Sequence, residues 1–109
     1  MDSIPAGQLR HKLTLQSFTV TSTDSRGQPV GAWEDLEWLR GSIEPVGPRE
    51  ADLVNQLVHD ATHIVHVRHC ANVTRGRRFT HDGRVFAIGH VADLGGRHRV
   101  MRVLCSEEL

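Results

Sequence analysis

At 109 residues, with 39% hydrophobic and 24% charged residues, the chain has the composition of one globular domain, large enough for a single core and too small for a two-domain enzyme. Thirteen basic and thirteen acidic residues give a net charge of zero, which argues against a free-standing DNA-coating protein. With no Tyr, three Phe and two Trp, the core must come mostly from Val, Leu, Ile and Ala, a lean supply that favours assembly with other subunits.

The chain opens on a basic, alternating segment over residues 6–16. Leu9, Leu13 and Leu15 occupy odd positions, with Arg10, Lys12, Thr14 and Gln16 between them. Successive strand side chains point to opposite faces, so this pattern predicts a strand with one buried and one wet face. Residues 17–20 extend it. The polar, turn-rich run that follows predicts an exposed, mobile loop over about residues 21–32, with Asp24 and Arg26 near its tip and Trp33 at its edge. Strand character resumes over residues 33–46, where Leu36 and Trp38 share one face and Leu39, Gly41 and Ile43 the other. Trp38 is expected in the core, and Trp33, beside the loop, at an interface. Pro45, Gly47 and Pro48 end the segment.

Pro48, Arg49, Glu50 and Asp52 form a helix start, with acids where the macrodipole favours them. Ala51, Val54, Leu57 and Val58 supply a narrow apolar stripe, and the helix should stop near His59 and Asp60. Arg49 and Glu50 serve either as a cap or as an intersubunit pair, the cap being favoured. Residues 62–70 alternate as a strand and 72–76 turn. Asp82-Gly83 marks a hairpin between strands at 77–80 and 85–91. A Gly95-Gly96 turn leads into a final strand over 99–105, followed by a short acidic tail. The fold class is mainly β: five or six antiparallel strands with one inserted helix, closed into a small barrel that protects its edges.

Chemistry-bearing patterns are sparse. His59, His63, His66 and His69 carry metal-ligand spacing only on a continuous helix. The strand around them sends His63 and His69 one way and His66 the other, so no metal site is expected. There is no HExxH, paired CxxC, EF-hand loop, GxSxG elbow or phosphate loop, and no catalytic residue or cofactor is expected. Cys70 and Cys105 lie in strand-like apolar contexts, which points to reduced buried thiols rather than a cross-strand disulfide. Without a signal pattern or an apolar run of spanning length, the chain is expected to be soluble and cytoplasmic where it is made, with no membrane partner.

Charge is uneven despite the zero sum. Between positions 75 and 102 stand seven arginines, Arg75, Arg77, Arg78, Arg84, Arg97, Arg99 and Arg102, against Asp82 and Asp93. Twelve of the thirteen basic residues are Arg, as a GC-rich genome would give; the alternative is a surface facing phosphate or carboxylate.

Taken together in this order, several fragments resemble the head–tail joining, or head-closure, proteins of long-tailed bacteriophages and prophages. They are Gly7-Gln8-Leu9-Arg10-His11 with Leu13-Thr14-Leu15-Gln16, Trp38 with Ile43-Glu44-Pro45, and Gly47-Pro48-Arg49-Glu50. Thr62-His63-Ile64-Val65-His66-Val67-Arg68 and Gly83-Arg84-Val85-Phe86-Ala87-Ile88 complete the set, which covers nearly the whole chain. The resemblance implies a small β-barrel with a helix that acts as a structural virion component and catalyses nothing. It further implies a homo-oligomeric ring, a dodecamer in the virion and a monomer in solution, seated below the portal–adaptor complex. Such a ring closes the DNA-filled head, surrounds packaged double-stranded DNA and presents a surface to a tail-completion or tail-terminator protein. The location implied is the virion neck, with the host cytoplasm during assembly. Candidate interface or DNA-channel residues are Arg10, Lys12, Asp24, Arg26, Trp33, Arg49, Glu50, Arg75, Arg77, Arg78, Arg97 and Arg99. The Arg cluster either lines the channel or pairs with acids of a neighbouring subunit, the second being slightly favoured. Competing readings are a tail-completion or other neck protein and, from a different class, a nucleic-acid-binding small β-barrel using Phe79 and Phe86 near the Arg cluster for stacking. A metal-dependent enzyme ranks last.

Overall fold

Alternating Leu13 and Leu15 on the first strand fix the inner face of a closed antiparallel barrel. The computed structural model describes residues 11–94 and 99–108. Among these residues the elements run β1 (His11–Thr23), β2 (Pro29–Pro45), α1 (Ala51–Leu57), β3 (His63–Arg68), β4 (Arg78–His81), β5 (Arg84–Leu94) and β6 (Val100–Glu108). Around the barrel the strand order is β1-β2-β3-β6-β5-β4, and β4 pairs back onto β1 through Thr14–Thr80, Leu15–Phe79 and Gln16–Arg78. Closure gives every strand two paired neighbours within the barrel.

The interior is filled as the period-2 pattern requires. Leu13, Leu15, Val65, Val67, Phe79, Phe86, Met101, Val103 and Cys105 form one buried cluster, with Leu39 and Ile43 packed against it. Gly41 belongs to this inner face because the barrel is tight there. A Cβ at Gly41 would lie 2.8 Å from Val67 Cγ1 and from the His66 carbonyl oxygen, and 2.9 Å from Leu13 Cδ1. The β4–β5 hairpin turns at Asp82 and Gly83, whose φ values of 49° and 79° are the left-handed geometry that an Asp-Gly pair accepts.

Strand β6 buries both faces. Its inner residues join the barrel core, while Leu104 on the outside packs with Ile64 and Val54 beneath α1. The helix covers one outer wall with Val54 and Val58, and Leu57 falls on its flank and stays 53% exposed. The stripe expected from Ala51, Val54, Leu57 and Val58 is therefore narrower: Val54 is the buried residue of the helix, and Val58 packs from the extended position just past its end. Helix α1 also starts three residues after Pro48, and Glu50 occupies its N-cap position without a side-chain cap bond.

Two further expectations change. The segment 21–32 is not a long loop: Thr21–Thr23 and Pro29–Ala32 lie within β1 and β2, leaving a turn at 24–28. Glu107 and Glu108, expected in a tail, belong to β6. Because β4 meets β1 only at residues 14–16, the β1–β2 pair continues past the barrel as a two-stranded ribbon. The molecule is correspondingly elongated, with extents of 50 × 29 × 27 Å.

Candidate assembly surface

The outward side of β1 and β2 carries the exposed aromatic residues of the described chain. Register places Lys12 opposite Arg40, Thr14 opposite Trp38, Gln16 opposite Asp35 and Phe18 opposite Trp33. An irregularity between Leu15 and Gln16 leaves Leu36 without a partner in the ladder. Trp38 is 56% exposed, and Phe18, Val20 and Leu36 are exposed as well. Trp38 is thus not a core residue: it shares a face with Leu36 as the alternation requires, but that face is the outer one, and Leu13 and Leu39 hold the interior.

A cation lies over each tryptophan. Lys12 Nζ sits 4.9 Å from the Trp38 ring centroid, and the Arg78 guanidinium 4.1 Å from that of Trp33. Phe18 meets Trp33 edge-on at 5.5 Å. Arg78 is fixed from several directions: its Nε donates to Gln16 Oε1 at 2.7 Å, Gln16 Nε2 donates to Asp35 Oδ1 at 2.7 Å, and Glu108 lies 4.0 Å away. This arrangement holds Trp33 and Phe18 in place at the base of the ribbon. At its far end Asp24 Oδ1 accepts the backbone N–H groups of Arg26 and Gln28 at 2.8 and 2.9 Å, with Gly27 at a φ of 80°.

A polar cluster gathers at the start of β5 and the end of β6. Arg84 donates Nε to Glu107 Oε2 at 2.7 Å and Nη2 to Glu107 Oε1 at 3.0 Å, while its guanidinium lies 5.0 Å from the Phe86 ring. The hydrogen bonds from Arg84 hold the Glu107 carboxyl below the usual carboxylate range. His63 stands edge-on to Phe86 at 5.2 Å, with Thr62 Oγ1 2.8 Å from its Nδ1, and Thr62 Oγ1 also accepts the Glu107 N–H at 2.8 Å. Elsewhere Glu37 accepts from Asn72 Nδ2 at 2.7 Å and from Cys70 Sγ at 3.2 Å, bonds that lower its pKa in that order of weight.

On the wall covered by α1, a groove runs between the helix and strands β3 and β6. Leu53, Leu57, Ile64 and Leu104 line it, with Glu50 and Arg102 at its rim. His66 lies on the same wall with Nδ1 3.6 Å from Glu44.

A family model described as phage head completion protein matches residues 4–108. The chain belongs to that family. Among the solved structures that share its fold are two of known origin. One is the solution structure of protein SF1141 from Shigella flexneri 2a, 24% identical over 95% of this chain and 96% of that one, with a TM-score of 0.74. The other is a chain of the virion of a native gene transfer agent particle, 17% identical over 92% of this chain and 96% of that one, with a TM-score of 0.62. No curated protein gives a significant sequence match.

Among the residues marked out by sequence for a head-completion role, Arg10 and Arg97 lie outside the described residues. The structure brings Lys12, Trp33 and Arg78 onto one outer face. Asp24 shapes the ribbon turn and Arg26 is exposed beside it. Arg49 and Glu50 stand apart from that face, at the start of α1, and both are exposed. Among the described residues, the arginines from position 75 onward are put to different uses. Arg77 donates to the Asn72 carbonyl and Arg78 and Arg84 engage acids of their own chain, while Arg75 and Arg99 are exposed. Phe79 and Phe86 are fully buried, so neither can stack on a base. Among the described residues no group of three or more His, Cys, Asp or Glu is placed to hold a metal ion, and no helix is long and apolar enough to cross a membrane.

Sequence reasoning missed Phe18, Leu36, Leu53 and Leu57 as surface features. The signal for Phe18 was present, since its cross-strand pairing with Trp33 follows once β1 is extended past Ser17. Leu53 and Leu57 stand at i and i+4, a spacing that marks one helix face without saying which neighbour it meets.

Proposed function

We propose that this protein is a structural neck component whose copies form a ring below the portal–adaptor complex, close the DNA-filled head and provide the surface on which the tail docks. The observation that carries this reading is the head-completion family match over residues 4–108. The physical features agree with it. Among the described residues the fully buried side chains of the barrel interior are apolar, as a structural barrel requires. A ring also needs little charge per monomer, because modest basic patches add their potentials around an axis that surrounds DNA. Exposed Arg26, Arg75 and Arg99 are among the cations available for such a lining. The ring partners are further copies of this chain, the portal–adaptor protein on the head side, and a tail-completion or tail-terminator protein on the other. A dodecamer in the virion and a monomer before assembly fit this role, with the host cytoplasm as the place of assembly.

Deletion of the gene tests the proposal. The expected result is DNA-filled heads that leak their genome and carry no tails. Infectious particles of normal yield and morphology from the deletion would remove it.

A further inference from the structure

We propose that the aromatic stripe on the β1–β2 hairpin of one copy seats on the α1 wall of the next copy, forming the head-to-tail contact of the ring. The inference rests on the ring reading above and names its two surfaces. Among the described residues the exposed large apolar side chains fall into two groups: Phe18, Val20, Val30, Leu36 and Trp38 on the hairpin, and Leu53 and Leu57 on α1. Strand order β1-β2-β3-β6-β5-β4 puts β1 three places from β6 and β4 three places from β3. Trp33, Leu36 and Trp38 are on β2, which neighbours β3, so the stripe and the helix wall are two different faces of the barrel, the first on β1–β2 and the second on β3 and β6. Two different patches meeting make a heterologous contact, the kind that generates a ring when its rotation closes.

The surfaces match in charge and shape. Lys12, Arg40 and Arg78 flank the stripe, and the three acids in its ladder already accept hydrogen bonds within the chain, Asp35 from Gln16, Glu34 from Thr19 and Glu37 from Asn72 and Cys70. The helix wall carries Glu44, Glu50 and Asp52, with Arg49 and Arg102 as the opposing cations. A projecting, half-exposed Trp38 faces outward on one side; a groove lined by Leu53, Leu57, Ile64 and Leu104 receives on the other. An aromatic anchor set in an apolar groove within a charged rim is the arrangement that dominates binding energy at interfaces. The ribbon beyond Gln16 supplies an independent reason. A two-stranded ribbon with apolar side chains on its surface is marginal by itself in water and gains stability from a covering partner.

The test places p-benzoylphenylalanine at position 38 of the full chain and irradiates purified particles of the phage that carries it. Adducts that join position 38 to the α1 segment, residues 49–58, of another copy support the contact. Adducts to other parts of the chain, to another neck protein or to DNA overturn it while leaving a ring in place. Loss of both chain-to-chain adducts and multiple copies per neck, counted by electron cryomicroscopy, overturns the contact and the ring together. Leu53→Glu provides a second measurement. Leu53 is 67% exposed, so the variant should keep the wild-type melting temperature. Its incorporation into particles should fall by about tenfold or more, as expected for a charge driven into an apolar contact. Wild-type incorporation of a folded Leu53→Glu chain would also overturn the contact.

Discussion

Arg84 and Glu107 form a two-pronged ion pair across β5 and β6, with nitrogen–oxygen distances of 2.7 and 3.0 Å. The pair lies over Phe86, and the Glu107 backbone is tied to Thr62 just ahead of β3. Residues from the start of β5, the end of β6 and the entry to β3 are thus joined at one barrel end. Two of the sequence fragments that mark the family, around Thr62-His63 and around Arg84-Val85-Phe86, converge in this cluster.

The pair should be visible in the pH dependence of stability. Arg84 lowers the Glu107 pKa from its ordinary value of 4.5. A carboxyl with a depressed folded pKa contributes stability that is present above its unfolded pKa and is lost as pH falls through the folded value. Glu107→Gln cannot titrate and should melt at a lower temperature than wild type near neutral pH. The difference should shrink as pH drops below about 4.5. Melting curves between about pH 3 and 7 check this, and a gap that stays constant with pH would show that the ion pair contributes nothing.

His66 titrates in the other part of the pH range. Burial lowers its pKa below the ordinary 6.5; Glu44 and Glu50 oppose this shift, and Arg102 adds to it. A base whose folded pKa is depressed favours the fold in its neutral form. Its contribution is complete above about pH 6.5 and is lost as pH falls through that value toward the folded pKa. Proton-detected titration of the imidazole should give a midpoint below 6.5, and His66→Gln should flatten the stability profile between about pH 5 and 7. A midpoint at or above 6.5 would mean that Glu44 outweighs burial.

The alternation of Leu13 and Leu15, the Asp82-Gly83 turn and the run from His63 to Arg68 made the barrel strands readable, because each follows from period-2 patterning or from a turn that few residues accept. The choice of face was less legible. Leu36 and Trp38 were placed on a common face by alternation, but alternation does not say which side is wet. That depends on the neighbouring pair Leu13 and Leu39 of β1 and β2 turning together toward the barrel core. The long ribbon was hidden because Thr21-Ser22-Thr23 reads as turn-forming in isolation, whereas its strand state depends on pairing with Pro29 and Val30. The Arg84–Glu107 pair joins residues 23 apart in sequence and is fixed only by the β5–β6 register. For the assembly surface, Lys12, Trp33 and Arg78 were marked singly. Their common face emerged from the closure of β4 onto β1, which no local pattern encodes.

The thiols should differ in reactivity. Cys105 is fully buried, and burial pushes its pKa up to about 12. Cys70 is partly buried, hydrogen-bonds Glu37 and is also shifted up, with burial the leading cause. The thiolate is the reactive species, so both should react slowly with a thiol-specific reagent in the native state, Cys70 ahead of Cys105. Denaturant should release both to the rate of a free cysteine. Prompt labelling of Cys105 in the folded protein would contradict its place inside the barrel.

Phe79 and Trp38 separate stability from assembly. Phe79 is 0% exposed and Trp38 is 56% exposed. Phe79→Ala removes a ring from the centre of the barrel, where Leu15 sits opposite, and should cost about 3–5 kcal/mol in denaturant unfolding. Trp38→Ala removes an outer side chain held by the Lys12 ammonium at 4.9 Å and should cost about 1 kcal/mol or less. The two variants should then diverge in the particle. A chain with Phe79→Ala is limited by folding, so its incorporation should recover at lower temperature. Trp38→Ala remains folded at all temperatures at which wild type does, and its incorporation should stay low, because the missing side chain acts between copies. Equal unfolding costs for the two variants would return Trp38 to the core; full incorporation of Trp38→Ala would leave the exposed ring without an assembly role.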